Sequence, residues 1–160
     1  MKNILAVVDY SEVTASVIEL ANEMARRFAA PLTLLHVSAP DPSFVGYDPG
    51  PKTVRDHMAD LFHQKHRALQ EHAERLRGEG LSAKALLVQG PTLETILREA
   101  AELGADFIVC GSHGHGALYD LILGSISEGI VRGANCPVLV VPSSRASSSA
   151  SSSAKITTKT

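Results

Sequence analysis

The stretch DFIVCGSHGHG, residues 106–116, joins a short apolar run to a segment with three glycines in six residues. The run is too short for a helix and is almost continuously apolar, which is typical of a parallel strand covered on both faces. Glycines directly after such a strand form either a tight surface turn or a backbone cradle for an anion. The rest of the chain decides between the two, because it determines which groups lie beside this segment.

Runs of the same kind occur four more times along the chain. Each is short, apolar and mostly rich in β-branched residues, and polar or glycine-containing segments bound it. We therefore predict five strands, over Asn3–Val8, Leu32–Val37, Ala83–Val88, Asp106–Cys110 and Pro137–Val141.

Between these runs, apolar residues recur at steps of three and four, which predicts amphipathic helices. The predicted helices cover Glu12–Ala30, Thr53–Arg77, Thr92–Leu103 and Ser125–Gly133. Ser11 and Thr92 are predicted to cap the first and third helices, and Ser125 with Glu128 has the form of a capping box. Gly104 is predicted to stop the third helix.

Strands and helices alternate along the chain, which predicts an α/β fold: a five-stranded, open parallel sheet, doubly wound, with helices on both faces. We predict one domain over residues 1–142. The segment Ser38–Lys52 contains four prolines and two glycines and is predicted to be a loop. The segment Ser143–Thr160 is rich in Ser, Ala, Thr and Lys and is predicted to be a disordered tail.

Composition narrows the classes of function. A net charge of −2 and a pI near 6.4 give no overall electrostatic attraction to nucleic acid or to an anionic membrane, so neither is an expected partner. The first apolar run, Ile4–Val8, is only five residues long, and no apolar segment approaches the roughly 18 residues of a membrane span. We therefore expect a cytoplasmic protein. Cys110 and Cys136 lack metal or redox spacing and are expected to be buried, reduced thiols.

The predicted fold places the glycine segment at the carboxyl edge of the sheet, where doubly wound sheets bind their ligands. If strands one and four are neighbours, Asp9 at the end of strand one faces this segment. The free N–H groups at the start of the following helix attract phosphate. The alternative is a simple tight turn, with Ser125 only capping its helix. Neither G-x-x-x-x-G-K-[ST] nor a G-x-G-x-x-G after the first strand is present.

The spacing Gly111-x2-Gly114-x9-Gly124-Ser125 resembles the nucleotide motif G-x2-G-x9-G-[ST] of the universal stress protein family. The resemblance extends over roughly residues 1 to 142 and implies that family's five-stranded, nucleotide-binding α/β fold, its usual homodimer and its ATP-binding branch. Three further stretches carry it: Val8-Asp9 with Ser11-Glu12, His36-Val37, and Asn135-Cys136-Pro137-Val138-Leu139-Val140-Val141-Pro142.

Carried over residue by residue, the resemblance implies a site with a nucleoside end and a phosphate end. Asp9 and Val37 would lie by the ribose and adenine, with Cys110 and Gly111 beside the nucleoside. The phosphate loop and the phosphate contacts would come from His113, Gly114, Gly124, Ser125, Ile126 and Ser127. Mg²⁺ or Mn²⁺ is expected on the phosphate oxygens.

Asp9 and its neighbour Tyr10 differ in one respect each from what the resemblance implies. Asp9 has an alternative role, as a strand-end carboxylate that caps the next helix together with Ser11. Tyr10 stands where the family usually has a small residue, and is expected to crowd the mouth of the pocket.

The predicted function is that of an ATP-binding universal stress protein, a nucleotide-dependent regulator or sensor in the stress response. It is expected to dimerise through strand 137–141, an apolar edge strand in the family's strand order. Any ATP hydrolysis should be slow, since no general base is apparent. One alternative is a dimeric interaction module of the same fold that binds no nucleotide. A less favoured one is an enzyme of adenylyl transfer, which would need a second substrate pocket.

Overall fold

The computed structural model describes residues 3–39, 52–112 and 123–142. The predicted loop lies mostly outside these ranges, as do the predicted tail and two predicted phosphate-loop residues, His113 and Gly114. Within the described ranges, no helix is long and apolar enough to cross a membrane.

The strands and helices alternate as the sequence predicts, with boundaries that differ by one or two residues at most ends. The order along the chain is β1 (Ile4–Val7), α1 (Thr14–Phe28), β2 (Leu32–Ser38), α2 (Lys52–Gly78), β3 (Ala83–Gln89), α3 (Thr92–Glu102), β4 (Phe107–Gly111), α4 (Ser125–Gly133) and β5 (Val138–Val141).

The five strands form one parallel sheet in the order β3-β2-β1-β4-β5, which confirms the predicted fold class. The chain winds outward from β1 through β2 to β3, then returns to the other side of β1 for β4 and β5. The winding direction therefore reverses between β1 and β4, and this is where ligands bind in sheets of this type.

Each face of the sheet packs against two helices. Side chains alternate between the faces along a strand, so β1 sends Ile4 and Ala6 to one face and Leu5 to the other. The first face packs against α1 and α2 and holds buried residues such as Val17 and Leu69. The second packs against α3 and α4 through residues that include Leu35, Val37, Ile96, Ile108, Cys110 and Ile130. The strands are thus covered on both sides, which explains their nearly continuous apolar sequences.

The predicted side-chain caps of α1 and α3 are wrong. The residue before α1 is Val13 and the residue before α3 is Pro91, and neither helix has a side-chain cap. Ser11 instead donates its hydroxyl to Asp9 Oδ1 at 2.6 Å, so its side chain is used in the turn before the helix. The predicted stop at Gly104 is confirmed by its left-handed backbone, with φ 56°.

The predicted capping box at α4 is also wrong, although the helix covers the predicted residues. Gly124 is the N-cap, and Ser125 is the first helical residue. Glu128 forms an ion pair with Arg132 at 2.8 Å, one turn further along the helix. The start of α4 therefore has backbone N–H groups that no side chain of its own caps.

Glycines let α4 approach α3 closely. A Cβ on Gly133 would lie 2.7 Å from Leu97 Cδ1, and a Cβ on Gly129 would overlap Leu93. These two pairs lie one turn apart on both helices, so they form a single line of contact. This contact holds α4 against α3 and fixes where the amino end of α4 lies.

Candidate functional site

The end of β1 and the end of β4 lie side by side, as the sequence analysis required. Ala6 of β1 pairs with Val109 of β4, and Asp9 and Ser112 follow these strands at the same edge. The charge of Asp9 acts on the thiol of Cys110 and raises its pKa, so the two side chains are near one another. The carboxylate and the glycine segment therefore meet where the winding direction reverses.

Asp9 forms the corner between β1 and α1. Its Oδ1 atom accepts hydrogen bonds from the Ser11 N–H at 3.0 Å, the Ser11 hydroxyl at 2.6 Å and the Thr14 hydroxyl at 3.1 Å. The side chain is half-buried. The alternative role of Asp9, as a strand-end carboxylate that acts with Ser11 before α1, is therefore supported by these hydrogen bonds.

Cys110 lines the site as an apolar group. Its side chain is buried, and burial, followed by the nearby charge of Asp9, raises its pKa to about 11. The thiol stays protonated at neutral pH, so it has no thiolate for nucleophilic or metal chemistry. Its neighbour on the same face is Val37, which is also buried.

The backbone of Val37 points into the gap at the end of β1. Bonding directions alternate along a strand, and the Leu35 carbonyl accepts the Val8 N–H at 2.8 Å, on the side of β1. Val37, two residues later, directs its own amide and carbonyl to that same side. By then β1 has turned away, because Tyr10 has a left-handed backbone with φ 60°.

Both ends of the glycine segment are held together at the start of α4. The Gly124 N–H donates to the Ser112 carbonyl at 2.8 Å, and the Ser127 hydroxyl donates to the Gly111 carbonyl at 2.7 Å. The Ser127 hydroxyl is thus engaged with the protein. Its backbone N–H belongs to the first turn of α4.

The amino end of α4 presents three N–H groups ahead of the first intrahelical bond. That first bond joins the Glu128 N–H to the Gly124 carbonyl at 2.8 Å. The N–H groups of Ser125, Ile126 and Ser127 precede it, and the side chains of Ser125 and Ile126 are exposed. N–H groups of this kind, together with the helix dipole, bind anions.

Eight of the ten predicted site residues lie in the described ranges, and the fold brings all eight to one edge of the sheet: Asp9, Val37, Cys110, Gly111, Gly124, Ser125, Ile126 and Ser127. His113 and Gly114 lie outside those ranges. Within the part of the chain that the structure describes, no group of three His, Cys, Asp or Glu side chains is placed to hold a metal ion.

Tyr10 is not positioned as the sequence suggested. Its hydroxyl donates to the Lys65 carbonyl of α2 at 2.6 Å, and its ring meets the edge of His36 with 4.8 Å between centroids. Burial raises the pKa of the Tyr10 hydroxyl to about 12, so it stays a donor at neutral pH. The side chain therefore packs toward α2 and braces the corner after β1.

His36 is the residue whose importance the sequence reasoning missed. It is buried at the end of β2, and its Nδ1 lies 2.7 Å from the Val8 carbonyl. The sequence does contain a signal for this role, since His36 is a polar residue inside the apolar run Leu32–Val37. A polar side chain that is buried in a strand needs a specific hydrogen-bond partner.

A second depression lies at the opposite edge of the sheet, between the ends of α3 and α4. It has a volume of about 340 Å³ and is lined mostly by small residues, with the half-buried Cys136 at one side. None of the predicted site residues lines it.

The comparisons with known proteins agree with this fold. The model of the universal stress protein family matches residues 1–142. The chain belongs to the universal stress protein family. A universal stress protein of Thermus aquaticus is 34% identical over 146 residues, covering 88% of this chain and 98% of the relative. The solved structure of MJ0577, from Methanocaldococcus jannaschii, matches with a TM-score of 0.74 at 28% identity, covering 90% and 97% of the two chains.

Two other solved universal stress proteins share the fold and carry a nucleotide. One was solved in complex with cAMP, at 19% identity and a TM-score of 0.63, covering 89% of this chain and 98% of its own. The other, from Arabidopsis thaliana, was solved with AMP bound, at 20% identity and a TM-score of 0.64, covering 89% and 92%. At these identities the likeness concerns the fold.

Proposed function

We propose that this universal stress protein binds an adenine nucleotide, ATP in the first instance, and acts as a cytoplasmic, nucleotide-dependent regulator or sensor in the stress response. The proposal rests on three features that lie together where the winding of the sheet reverses: the start of α4, the Asp9 corner and the backbone of Val37. The nucleotides bound by two proteins of the same fold support it.

The phosphate end of the proposed site is the start of α4. Three N–H groups that bond to no described residue, together with the positive end of a helix dipole, suit a chain of phosphates. The carbonyl of Gly111 is occupied by Ser127, so it does not repel an anion there. In the family motif, His113, Gly114 and Gly124 would complete the phosphate contacts.

The nucleoside end lies between β1 and β2. The amide and carbonyl of Val37 supply one donor and one acceptor, which match the acceptor and donor on the edge of an adenine ring. Val37 and Cys110 provide apolar surface for the base. Asp9 is placed to accept from a ribose hydroxyl, in addition to the bonds that it receives from its own chain.

In the proposed complex, Mg²⁺ or Mn²⁺ would be bound by the phosphate oxygens of the nucleotide. The described residues offer no three-ligand cluster, so the protein is not expected to hold the cation without nucleotide. A triphosphate coordinates such ions directly, and protein sites for Mg²⁺ often add only one or two ligands.

Regulation fits this site better than catalysis. Asp9, the carboxylate beside the proposed nucleoside, already accepts three hydrogen bonds from its own chain, so it is not poised as a general base. Mass spectrometry of small molecules released from the purified protein tests the assignment. ATP, ADP or AMP in stoichiometric amounts supports it, whereas a protein that neither retains nor binds these nucleotides would support the alternative of an interaction module.

We also propose that the protein forms a homodimer through β5. This strand is at the edge of the sheet, and Val138, Leu139 and Val140 are only partly buried in the single chain. Such an edge pairs readily with a second copy of itself, in an antiparallel and self-complementary manner.

Val140→Glu is expected to convert the dimer to a monomer, because it places a charge in the centre of the paired strands. Light scattering at micromolar concentration measures the change. Glu99→Gln, which alters a charge on α3 far from β5, is the control and should stay dimeric. A monomeric wild type under these conditions would refute the proposed dimer.

A further inference from the structure

His36 lies directly behind the proposed nucleoside end of the site. Its side chain is only 6% exposed and points to the face of the sheet opposite Val37. Nδ1 lies 2.7 Å from the carbonyl of Val8. A carbonyl can only accept, so Nδ1 carries the proton and Nε2 is the unprotonated nitrogen.

This hydrogen bond uses the acceptor that the strand ladder would otherwise need. In a continued parallel pair, the next bond between β1 and β2 after Val8 N–H to Leu35 would join the Val37 N–H to the Val8 carbonyl. The His36 Nδ1–H donates to that carbonyl instead, and no bond from the Val37 N–H to it occurs among the described residues. The hydrogen-bonded pairing of β1 with β2 therefore ends before Val37. The N–H and carbonyl of Val37 are the groups that the proposed ligand would bond.

His36 also supports the corner that carries Asp9. The ring of Tyr10 packs edge-on against the imidazole, and the Tyr10 hydroxyl is tied to the backbone of α2. Tyr10 has the left-handed conformation that turns the chain away from β2. The two residues that flank Asp9, Val8 and Tyr10, are thus both in contact with this imidazole.

The arrangement requires the neutral ring. Nε2 is buried and has no hydrogen-bond partner among the residues that the structure describes. A second proton there would leave a buried charge without a partner. Burial, opposed by the bond to Val8, lowers the pKa of His36 below its ordinary value of 6.5; Lys65 lowers it further and Asp9 raises it. On β3, the residue in register with His36 is Leu87, which carries no charge.

We propose that His36 is a positioning residue of the nucleotide site: its Nδ1–H occupies the Val8 carbonyl, holds the amide and carbonyl of Val37 available to the ligand, and makes binding sensitive to acid. This inference rests on the proposed nucleotide function for its ligand. Protonation favours movement of the ring toward solvent or toward Asp9. That movement releases the Val8 carbonyl and loosens the corner.

Two variants distinguish the effect of the hydrogen bond to Val8 from the effect of protonating the imidazole. His36→Asn places an amide N–H near the position of Nδ1–H and does not titrate. His36→Phe keeps a ring of similar size but has no donor. Adenosine is the probe, because it has no phosphate that titrates between pH 5 and pH 8.

In calorimetric titrations, wild type is expected to lose affinity for adenosine as the pH falls from 8 to 5, and to lose more of it than His36→Asn does. His36→Asn should bind at pH 8 within about threefold of wild type and change less than about twofold with pH. His36→Phe should bind about tenfold more weakly at pH 8. Equal pH dependence in wild type and His36→Asn would overturn the proposal.

A measurement without ligand tests the link between His36 and Val37 independently of nucleotide binding. In nuclear magnetic resonance spectra of wild type, the His36 ring should titrate below pH 6.5 as the Nδ1–H form, and the Val37 amide signal should shift with the same midpoint. His36→Asn should abolish that shift. If wild type binds no adenosine or ATP, the proposed function fails. A Val37 signal that does not follow His36 overturns the positioning role whether or not nucleotide binds.

Discussion

Gly124→Val is expected to weaken ATP binding more than tenfold, which corresponds to about 1.4 kcal/mol or more, while adenosine binding changes by less than about threefold. Gly124 is the N-cap of α4, immediately before the N–H groups of Ser125, Ile126 and Ser127 that precede the first intrahelical bond. A branched side chain there fills the space that phosphate oxygens need in order to reach these groups. Adenosine has no phosphates and does not use that space.

The backbone of Gly124 makes this variant a selective test. Its φ of −61° and ψ of 153° are extended values that every residue adopts, so valine strains no dihedral angle. Gly78→Val is a matched control, because a Cβ on Gly78 meets nothing within 4 Å and lies at the end of α2. Calorimetric titration of both variants measures the difference. Equal losses for ATP and adenosine in Gly124→Val would show that the helix start does not hold phosphate.

Asp9→Ala is expected to weaken adenosine and ATP alike, by about tenfold, because it removes a contact to the part that both ligands share. It should also lower the free energy of unfolding by roughly 1–3 kcal/mol, since Ser11 and Thr14 lose their acceptor. Chemical denaturation measures this second effect.

Asp9→Asn separates the two roles of the carboxylate. Its Oδ1 can still accept from Ser11 and Thr14, so most of the stability should return. Binding should stay weaker than wild type, because bonds to a charged acceptor are about twice as strong as neutral ones. If Asp9→Ala loses stability but binds adenosine as wild type does, Asp9 belongs only to the corner and not to the ligand site.

The sheet could be predicted from the sequence because its signals are strong and redundant. Five apolar runs and the helical periodicity between them specify an alternating order, and the right-handed crossover of parallel strands leaves few arrangements. The glycine segment follows the fourth apolar run directly, which predicts its place at the carboxyl edge. The strand order brings Asp9 near Cys110 at that edge.

The helix ends could not be predicted in the same way. Ser11, Thr92 and Ser125 each have the side chain of a good N-cap, yet the N-cap positions are taken by Val13, Pro91 and Gly124. Asp9 takes the Ser11 hydroxyl because the β1–α1 corner brings them within 2.6 Å. Such tertiary competition for a short polar side chain leaves no mark in a local pattern.

The role of His36 depends on register, which the sequence does not display. A histidine in an apolar strand indicates a buried polar contact, but only the alignment of Leu35 with Val7 shows which carbonyl it reaches. Tyr10 is similar, since its partner is a backbone carbonyl of α2, 55 residues away along the chain.

The central claim is that this edge of the sheet binds an adenine nucleotide, and calorimetric titration of the wild-type protein with ATP and Mg²⁺ at pH 8 tests it most directly. We expect saturable binding with one nucleotide per chain, reduced in Gly124→Val and preserved in Gly78→Val. No binding of ATP to the wild type at millimolar nucleotide with Mg²⁺ would contradict the account and leave the interaction module of the same fold as the better description.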